Sequence, residues 1–286
     1  MVGSLVDART QKWAISKLDS RSNKYIVIPS SVILDGKECE KLVTVFSYFF
    51  IKRGLDDTVS SSINMIAKWC GKNPNRSQRG ISAKLLAAVN KLNEDGFISV
   101  SDNPSGANIV ETNVNLGMIT KLCQEDRERF ATVYIDEILK IVRYDGLSSS
   151  NKTLDNDVLL HVFAYLRMMI YRRKSDPSAT QYGDNDERRV RTTETYNCYI
   201  QDMAEELGLS PAIASDAIAV LREMELIYFE PLPRLKYDDS TWRTGHTIFC
   251  NWYKRESGYL VAEGSVYYEE EVRNRKKQLK FVPKDD

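Results

Sequence analysis

The sequence predicts an α+β fold whose elements are laid down twice, and three observations carry that prediction. The first is a repeated helical core: "LVTVFSYFF" at 42–50 and "LLHVFAYLR" at 159–167 share a Val-Phe-small-Tyr centre. The second is what flanks it. A β-rich strand candidate comes before each core, "KYIVIPSSVIL" (24–34) and "ATVYIDEILKIV" (131–142). A short amphipathic helix ending at Gly comes after, "SSINMIAKWCG" (61–71) and "YIQDMAEELG" (199–208). The third is a longer helix in each copy that closes on Leu, a short turn and an apolar strand: "LNEDGFISV" (92–100) and "LREMELIYF" (221–229). A helix running into a hairpin requires that pattern.

The elements give a plan in chain order. Residues 1–23 form an N-terminal arm, and 24–116 hold the first copy, whose hairpin turns at "DNPSGAN" (102–108) and returns through "IVETNVN". Turn-forming Asp, Asn, Pro and Gly are concentrated there. Residues 117–155 are a connector that includes the strand and helix of the second module and the Ser/Asn-rich stretch from 146. The second copy occupies 156–256, with a polar insertion at 174–195 and a longer turn at 231–245 that returns through "HTIFCNWY". A charged tail, 257–286, places Glu269 before Arg273 and Glu271 before Arg275 at helical spacing. It reads as a phosphate arm or as a solvated terminal helix. Helix, helix, turn, helix, strand, wing, strand is the order of a winged helix-turn-helix. The predicted fold is therefore α+β with two winged helix-turn-helix domains in tandem, and 286 residues suit two domains better than one.

Composition sets limits. With 42% hydrophobic residues the chain can build cores, and its net charge of zero argues against a molecule coated in positive field while leaving room for a local patch. The five cysteines show no CxxC pair, which removes the usual zinc and disulfide frameworks. Apolar runs fall short of the roughly 20 residues a bilayer takes. "MVGSLVDARTQKW" lacks an apolar core of signal-peptide length, so the expected location is the cytoplasm, with no membrane partner. Catalysis is not expected. There are two histidines and no HExxH, GxSxG or GxGxxG, and "GKNPNRSQRG" lacks the Gly-Lys-Ser/Thr ending of a phosphate loop. No metal or cofactor is expected, and His161 reads as a core residue.

The candidate site is a nucleic-acid interface. From Asn64 to Asn93 there are six cations and no acid. A helix in the major groove needs a buried stripe on one side and cations and amides on the other. Ile81, Leu85, Val89 and Leu92 supply the stripe, and Gly80, Ala83 and Ala87 permit close approach. Arg76, Gln78 and Arg79 are candidates for base edges, and Lys72 and Ser77 for phosphates, Ser77 also being a candidate helix cap. Lys68, Asn75, Ser82, Lys84 and Lys91 complete the expected contacts. The second copy differs. From Tyr199 to Leu226 it carries six acids against Arg222, around a core stripe of Ile213, Ala217, Val220 and Leu221. Such a helix repels phosphate, so this copy is expected to be a dimerisation or accessory module. Its phosphate contacts are then expected from Arg188, Arg189 and Arg191 in the insertion and from Arg234, Lys236 and Arg243 in the long turn.

The run "KYIVIPSSVILDGKECEKLVTVFSYFF…IAKWCG…LLAAVNKLNEDGFISV" resembles the winged-helix domain of plasmid and phage replication initiators of the Gram-positive type. Ile28-Pro29 and Leu92, Gly96, Phe97 and Ile98 carry the match. It covers 24–115 and, more loosely, 131–253. The resemblance implies sequence-specific binding of double-stranded DNA at origin repeats, a homodimer under dimer-to-monomer control, and recruitment of a host replication helicase or its loader. A winged-helix transcription regulator is the alternative within the same class. A protein-binding assembly factor without DNA contact is the alternative from another class.

Overall fold

β1 (Tyr25–Pro29) and α1 (Ser30–Asp35) show where the first candidate strand stops. Pro29 sits at φ −62° and ψ 153°, extended, and hands the chain directly to the helix. The structure, a computed structural model, describes residues 25–72, 79–102, 105–124, 129–144, 154–170, 195–231, 235–236, 242–243 and 247–251. After α1 come α2 (Leu42–Lys52), β2 (Thr58–Ser61), α3 (Ile63–Trp69), α4 (Arg79–Glu94), β3 (Ile98–Val100) and β4 (Val110–Val114). Then follow α5 (Leu116–Gln124), β5 (Phe130–Tyr134), α6 (Ile135–Val142) and α7 (Asn156–Ile170). The remaining elements are β6 (Thr195–Cys198), α8 (Ile200–Glu206), α9 (Pro211–Glu223), β7 (Ile227–Pro231), β8 (Leu235–Lys236), β9 (Trp242–Arg243) and β10 (Thr247–Asn251).

The result is a mixed α+β chain with small antiparallel sheets, and the strand orders repeat. The first three-stranded sheet runs β2-β4-β3 and the second β6-β10-β7, each with its last strand in the middle. In both, a strand precedes the short helix, a longer helix follows, and a hairpin closes the set. One pairing was not foreseen from the sequence. β1 and β5 form a two-stranded antiparallel sheet, with Tyr25 opposite Tyr134 and Pro29 opposite Phe130. The second candidate strand is also corrected, because extended chain ends at Tyr134 and helix α6 begins. Glu137, at the third helical position, accepts a hydrogen bond from the Tyr134 N–H at 3.1 Å, the return half of a capping box.

By contact the described residues divide into two units. One comprises those within Ser22–Met169 and Ala204–Leu221, and the other those within Ile170–Met203 and from Arg222 onward. In the first unit both helices that share the Val-Phe-small-Tyr motif are buried around their whole circumference: Leu42–Phe50 of α2 without interruption, and Leu159–Met168 of α7. Helices apolar on every side belong in a core. Phe46 stacks on Phe50 at 4.1 Å and meets Phe97 edge-on at 5.6 Å. Arg167, in the middle of α7, is 0% exposed. Its Nε and Nη2 donate to Thr132 O at 3.1 and 3.0 Å, and its guanidinium lies 3.9 Å from the buried Glu137 carboxylate.

The helix ends repeat as well. Lys72 N–H donates to Ala67 O at 2.9 Å around Gly71 (φ +71°), and Leu209 N–H to Ala204 O at 2.8 Å around Gly208 (φ +66°). This is the same left-handed helix stop in each copy. The buried stripes of the longer helices correspond too: Leu85, Ala88, Val89 and Leu92 in α4, and Ala214, Ala217, Ile218 and Leu221 in α9. Both read i, i+3, i+4, i+7. That register corrects two expectations, since Ile81 is only half-buried and Ile213 is 40% exposed. Ile81 lies one turn before Leu85 on the same side, near the start of α4, whereas Ile213 lies off its stripe. In the second unit Phe249 of β10 packs between Tyr196 and Phe229 at 6.3 and 6.2 Å. Arg222 lies over the rings of Tyr228 and Phe229.

Candidate nucleic-acid interface

α3 is started by Ser62, whose Oγ accepts from Met65 N–H at 3.3 Å, and is stopped at Gly71. α4 then lays Leu85, Ala88, Val89 and Leu92 on the core and turns the opposite side outward. Gly80, Ser82, Ala83, Lys84 and Ala87 are exposed. A Cβ built on Gly80 would meet nothing within 4 Å. Small side chains therefore leave the backbone of this face open to close approach, with Lys68 exposed at the end of α3 beside it. The hairpin that follows is tied to α3 through Asn64 N–H, which donates to Gly106 O at 3.1 Å.

The charges of the face differ from the sequence expectation. No acid occurs within 64–93, yet three lysines of that run are held by carboxylates from outside it. Lys72 Nζ lies 3.0 Å from Asp155. Lys84 is paired with Glu40. Lys91 contacts Asp95 at 2.9 Å and Asp35 at 3.1 Å, and hydrogen bonds to these two carboxylates raise its pKa above the ordinary lysine value. The physical reason is chain reversal. The α1–α2 segment and the start of α7 fold back beside α3 and α4 and bring their acids with them. Lys72, offered to phosphate by the sequence, is tied through Asp155 to a part-buried network. Asn75, Arg76, Ser77 and Gln78 lie outside the described residues, as does the side chain of Arg79, the first residue of α4. Arg188, Arg189, Arg191 and Arg234 also lie outside them. Lys236 and Arg243 are placed by backbone only, in a short ladder where Leu235 faces Arg243 and Lys236 faces Trp242.

A buried polar junction lies at the start of α2 and of α7. Lys41, left-handed at φ +72° at the start of α2, gives its ammonium to Asp157 and lies 3.6 Å from Asp155. Asn156 Nδ2 donates to Val142 O at 2.9 Å and Tyr144 O at 3.1 Å. Burial, reinforced by Asp155, pushes Asp157 up to about 6 despite Lys41. Burial pushes Asp155 the same way, but the hydrogen bonds from Asp157 and Lys72 and the charge of Lys41 outweigh it and hold Asp155 well below the carboxylate range. His161 Nε2 lies 2.7 Å from Ile33 O, and burial lowers its pKa. A cavity of about 220 Å³ opens here, lined by Thr44, Asp157, His161 and Gly208 among others. Burial raises the Cys70 thiol above its ordinary value, so it offers no thiolate nucleophile. No group of three or more His, Cys, Asp or Glu that could hold a metal occurs among the described residues. No helix among them is long and apolar enough to cross a membrane.

Sequence reasoning missed Asp35, Glu40 and Asp155, which pair with Lys91, Lys84 and Lys72 of the candidate face. The only available signal was their nearness in sequence to the two core helices, which says nothing about which lysine each would meet. The second copy carries a matching contrast. Aligned on the buried stripes, exposed Ile213 stands where α4 has Lys84, and half-buried Asp216 where α4 has Ala87. Comparison of the chain with family models, with curated proteins and with solved structures finds no match in any of the three.

Proposed function

We infer that this chain is a sequence-specific binder of double-stranded DNA built from two winged helix-turn-helix domains in tandem. Its task in this reading is that of a replication initiator at the origin repeats of a plasmid or phage. The observation that carries the reading is the exposed side of α4. Gly80, Ala83 and Ala87 lie there opposite the buried stripe, beside Lys68 and Lys84, behind a short helix and ahead of a hairpin. In the groove this helix brings its backbone close to base edges while lysines meet phosphates. The hairpin β3–β4 serves as the wing. The second copy, with Ile213 and Asp216 in place of Lys84 and Ala87, is suited to a protein contact, in a homodimer or with a helicase or its loader. The expected compartment is the cytoplasm.

A protein-binding assembly factor without DNA contact is the second reading, favoured by the pairing of Lys72, Lys84 and Lys91 with acids. Selection from random oligonucleotides with the full chain, followed by a salt titration, separates the two. A DNA binder enriches one motif, and log affinity falls with log salt by about 0.9 per phosphate contacted. Lys68→Ala and Lys84→Ala each weaken binding and reduce that slope, whereas Lys72→Ala acts chiefly on stability. Lack of enrichment together with a flat salt response discards the DNA reading. Tandem copies of the selected motif within one replicon support initiation, and a single copy upstream of a gene supports regulation.

A further inference from the structure

We propose that Asp35 and Glu40 are built-in competitors of DNA phosphate, occupying Lys91 and Lys84 of α4 until DNA displaces them. The inference rests on the DNA-binding reading and adds to it a determinant of affinity. Asp35 ends α1 and Glu40 lies in the segment joining α1 to α2, and both reach lysines of α4. Lys84 and Lys91 are two helical turns apart, so they share a side of α4 and lie about 10 Å from each other along its axis. The two carboxylates thus imitate a short stretch of phosphate row against the helix.

What stands behind the carboxylate separates these pairs from the one next to them, since Lys72 and Asp155 are themselves 23% and 39% exposed. The side chains of Lys84 and Glu40 are 48% and 63% exposed, and those of Lys91 and Asp35 are 34% and 42% exposed. Pairs as open as these are weakly held and screened by salt, so a polyanion can take the lysine and return the carboxylate to water. Lys72 is different. Its partner Asp155 is joined to the buried Lys41–Asp157 pair, and this anchors the pair in place. The result is a division of labour: Lys72 holds the turn, while Lys84 and Lys91 exchange partners. A protein arranged this way binds phosphate rows weakly when nothing else favours the complex, because each lysine must first give up a carboxylate. The cost is recovered only where base contacts add to the phosphate contacts.

The test uses the full chain and a random-sequence DNA duplex, with affinity measured across a range of KCl. Glu40→Gln is expected to tighten binding roughly fivefold and to steepen the salt slope by up to about 0.9, because Lys84 then starts unpaired. Asp35→Asn acts in the same direction but less, since Asp95 still holds Lys91. In the Lys84→Ala background Glu40→Gln is expected to have no effect. Unchanged or weaker binding by Glu40→Gln overturns the proposal. So does an equal gain with Lys84 removed, which would mean that the carboxylate repels DNA without acting on the lysine. In either case weaker binding by Lys84→Ala alone leaves the DNA reading standing. Failure of the wild type and all variants to bind the duplex overturns both.

Discussion

Gly36→Ala tests the packing between the end of α1 and α7, and its sign is not obvious in advance. Gly36 follows α1 at φ −55° and ψ −21°, a right-handed conformation that alanine adopts freely. On backbone grounds alone the substitution would stabilise by about 0.4–1 kcal/mol, because the unfolded chain loses freedom. The space says otherwise. A Cβ on residue 36 would lie 2.8 Å from His161 Nε2, 2.9 Å from His161 Cε1 and 3.1 Å from Ile33 O. The ring belongs to a helix buried on all sides and is hydrogen-bonded at 2.7 Å to Ile33 O. It must retreat by several tenths of an ångström, stretching that bond and crowding α7. Overpacking costs about 1–3 kcal/mol and a weakened hydrogen bond up to about 1 kcal/mol more. Packing wins, and a net loss of about 1–3 kcal/mol is expected. Urea unfolding of wild type, Gly36→Ala, His161→Ala and the double variant measures it. In the double variant the clash is absent, so the coupling energy should reach about 1 kcal/mol or more. A neutral or stabilising Gly36→Ala, or strict additivity, refutes the reasoning.

Three further outcomes follow from particular residues. Asp157 has a folded pKa raised to about 6, so the folded chain holds that proton more tightly than the unfolded chain. Its ionised form is therefore a penalty above about pH 6 that fades as the pH falls towards about 4, the unfolded value. The stability of the wild type relative to Asp157→Asn, measured by urea unfolding, should rise as the pH is lowered through that window, and a flat difference contradicts the assignment. Arg167→Met strips the buried Glu137 of its facing cation and Thr132 O of two donors, and should cost about 3–5 kcal/mol in chemical denaturation. A loss below about 1 kcal/mol would mean that the pair is not closed in solution. Glu225 holds φ +56° at the helix stop where the first copy has Gly96 at φ +76°. Glu225→Gly should therefore stabilise by about 0.5–1 kcal/mol and raise Tm, and a fall in Tm would remove the strain argument.

Much of the architecture was legible because its causes are local. The Val-Phe-small-Tyr helices, the glycine stops at Gly71 and Gly208, and the Leu-turn-strand endings at Leu92 and Leu221 all depend on neighbours within one or two turns. Each is found where the periodicity placed it. The errors were also local in kind. Strand propensity ran through Pro29 and Tyr134 into segments that a fixed proline φ and the Glu137 cap turn into helix. Ile213 was counted as core because it is apolar, whereas the i, i+3, i+4, i+7 rule starting from Ala214 leaves it outside.

The sequence by itself determined that the same set of elements is built twice and that the two longer helices carry opposite charge. Hydrophobic period, turn chemistry and residue counts are properties of the chain read in order. Only the tertiary structure decided which of those charges are available. Coulomb attraction depends on distance in space, and Asp155 reaches Lys72, Glu40 reaches Lys84 and Asp35 reaches Lys91 across segments that no short-range rule connects. The same holds for the pairing of β1 with β5, which joins the opening strands of the two copies and has no signature in either strand alone.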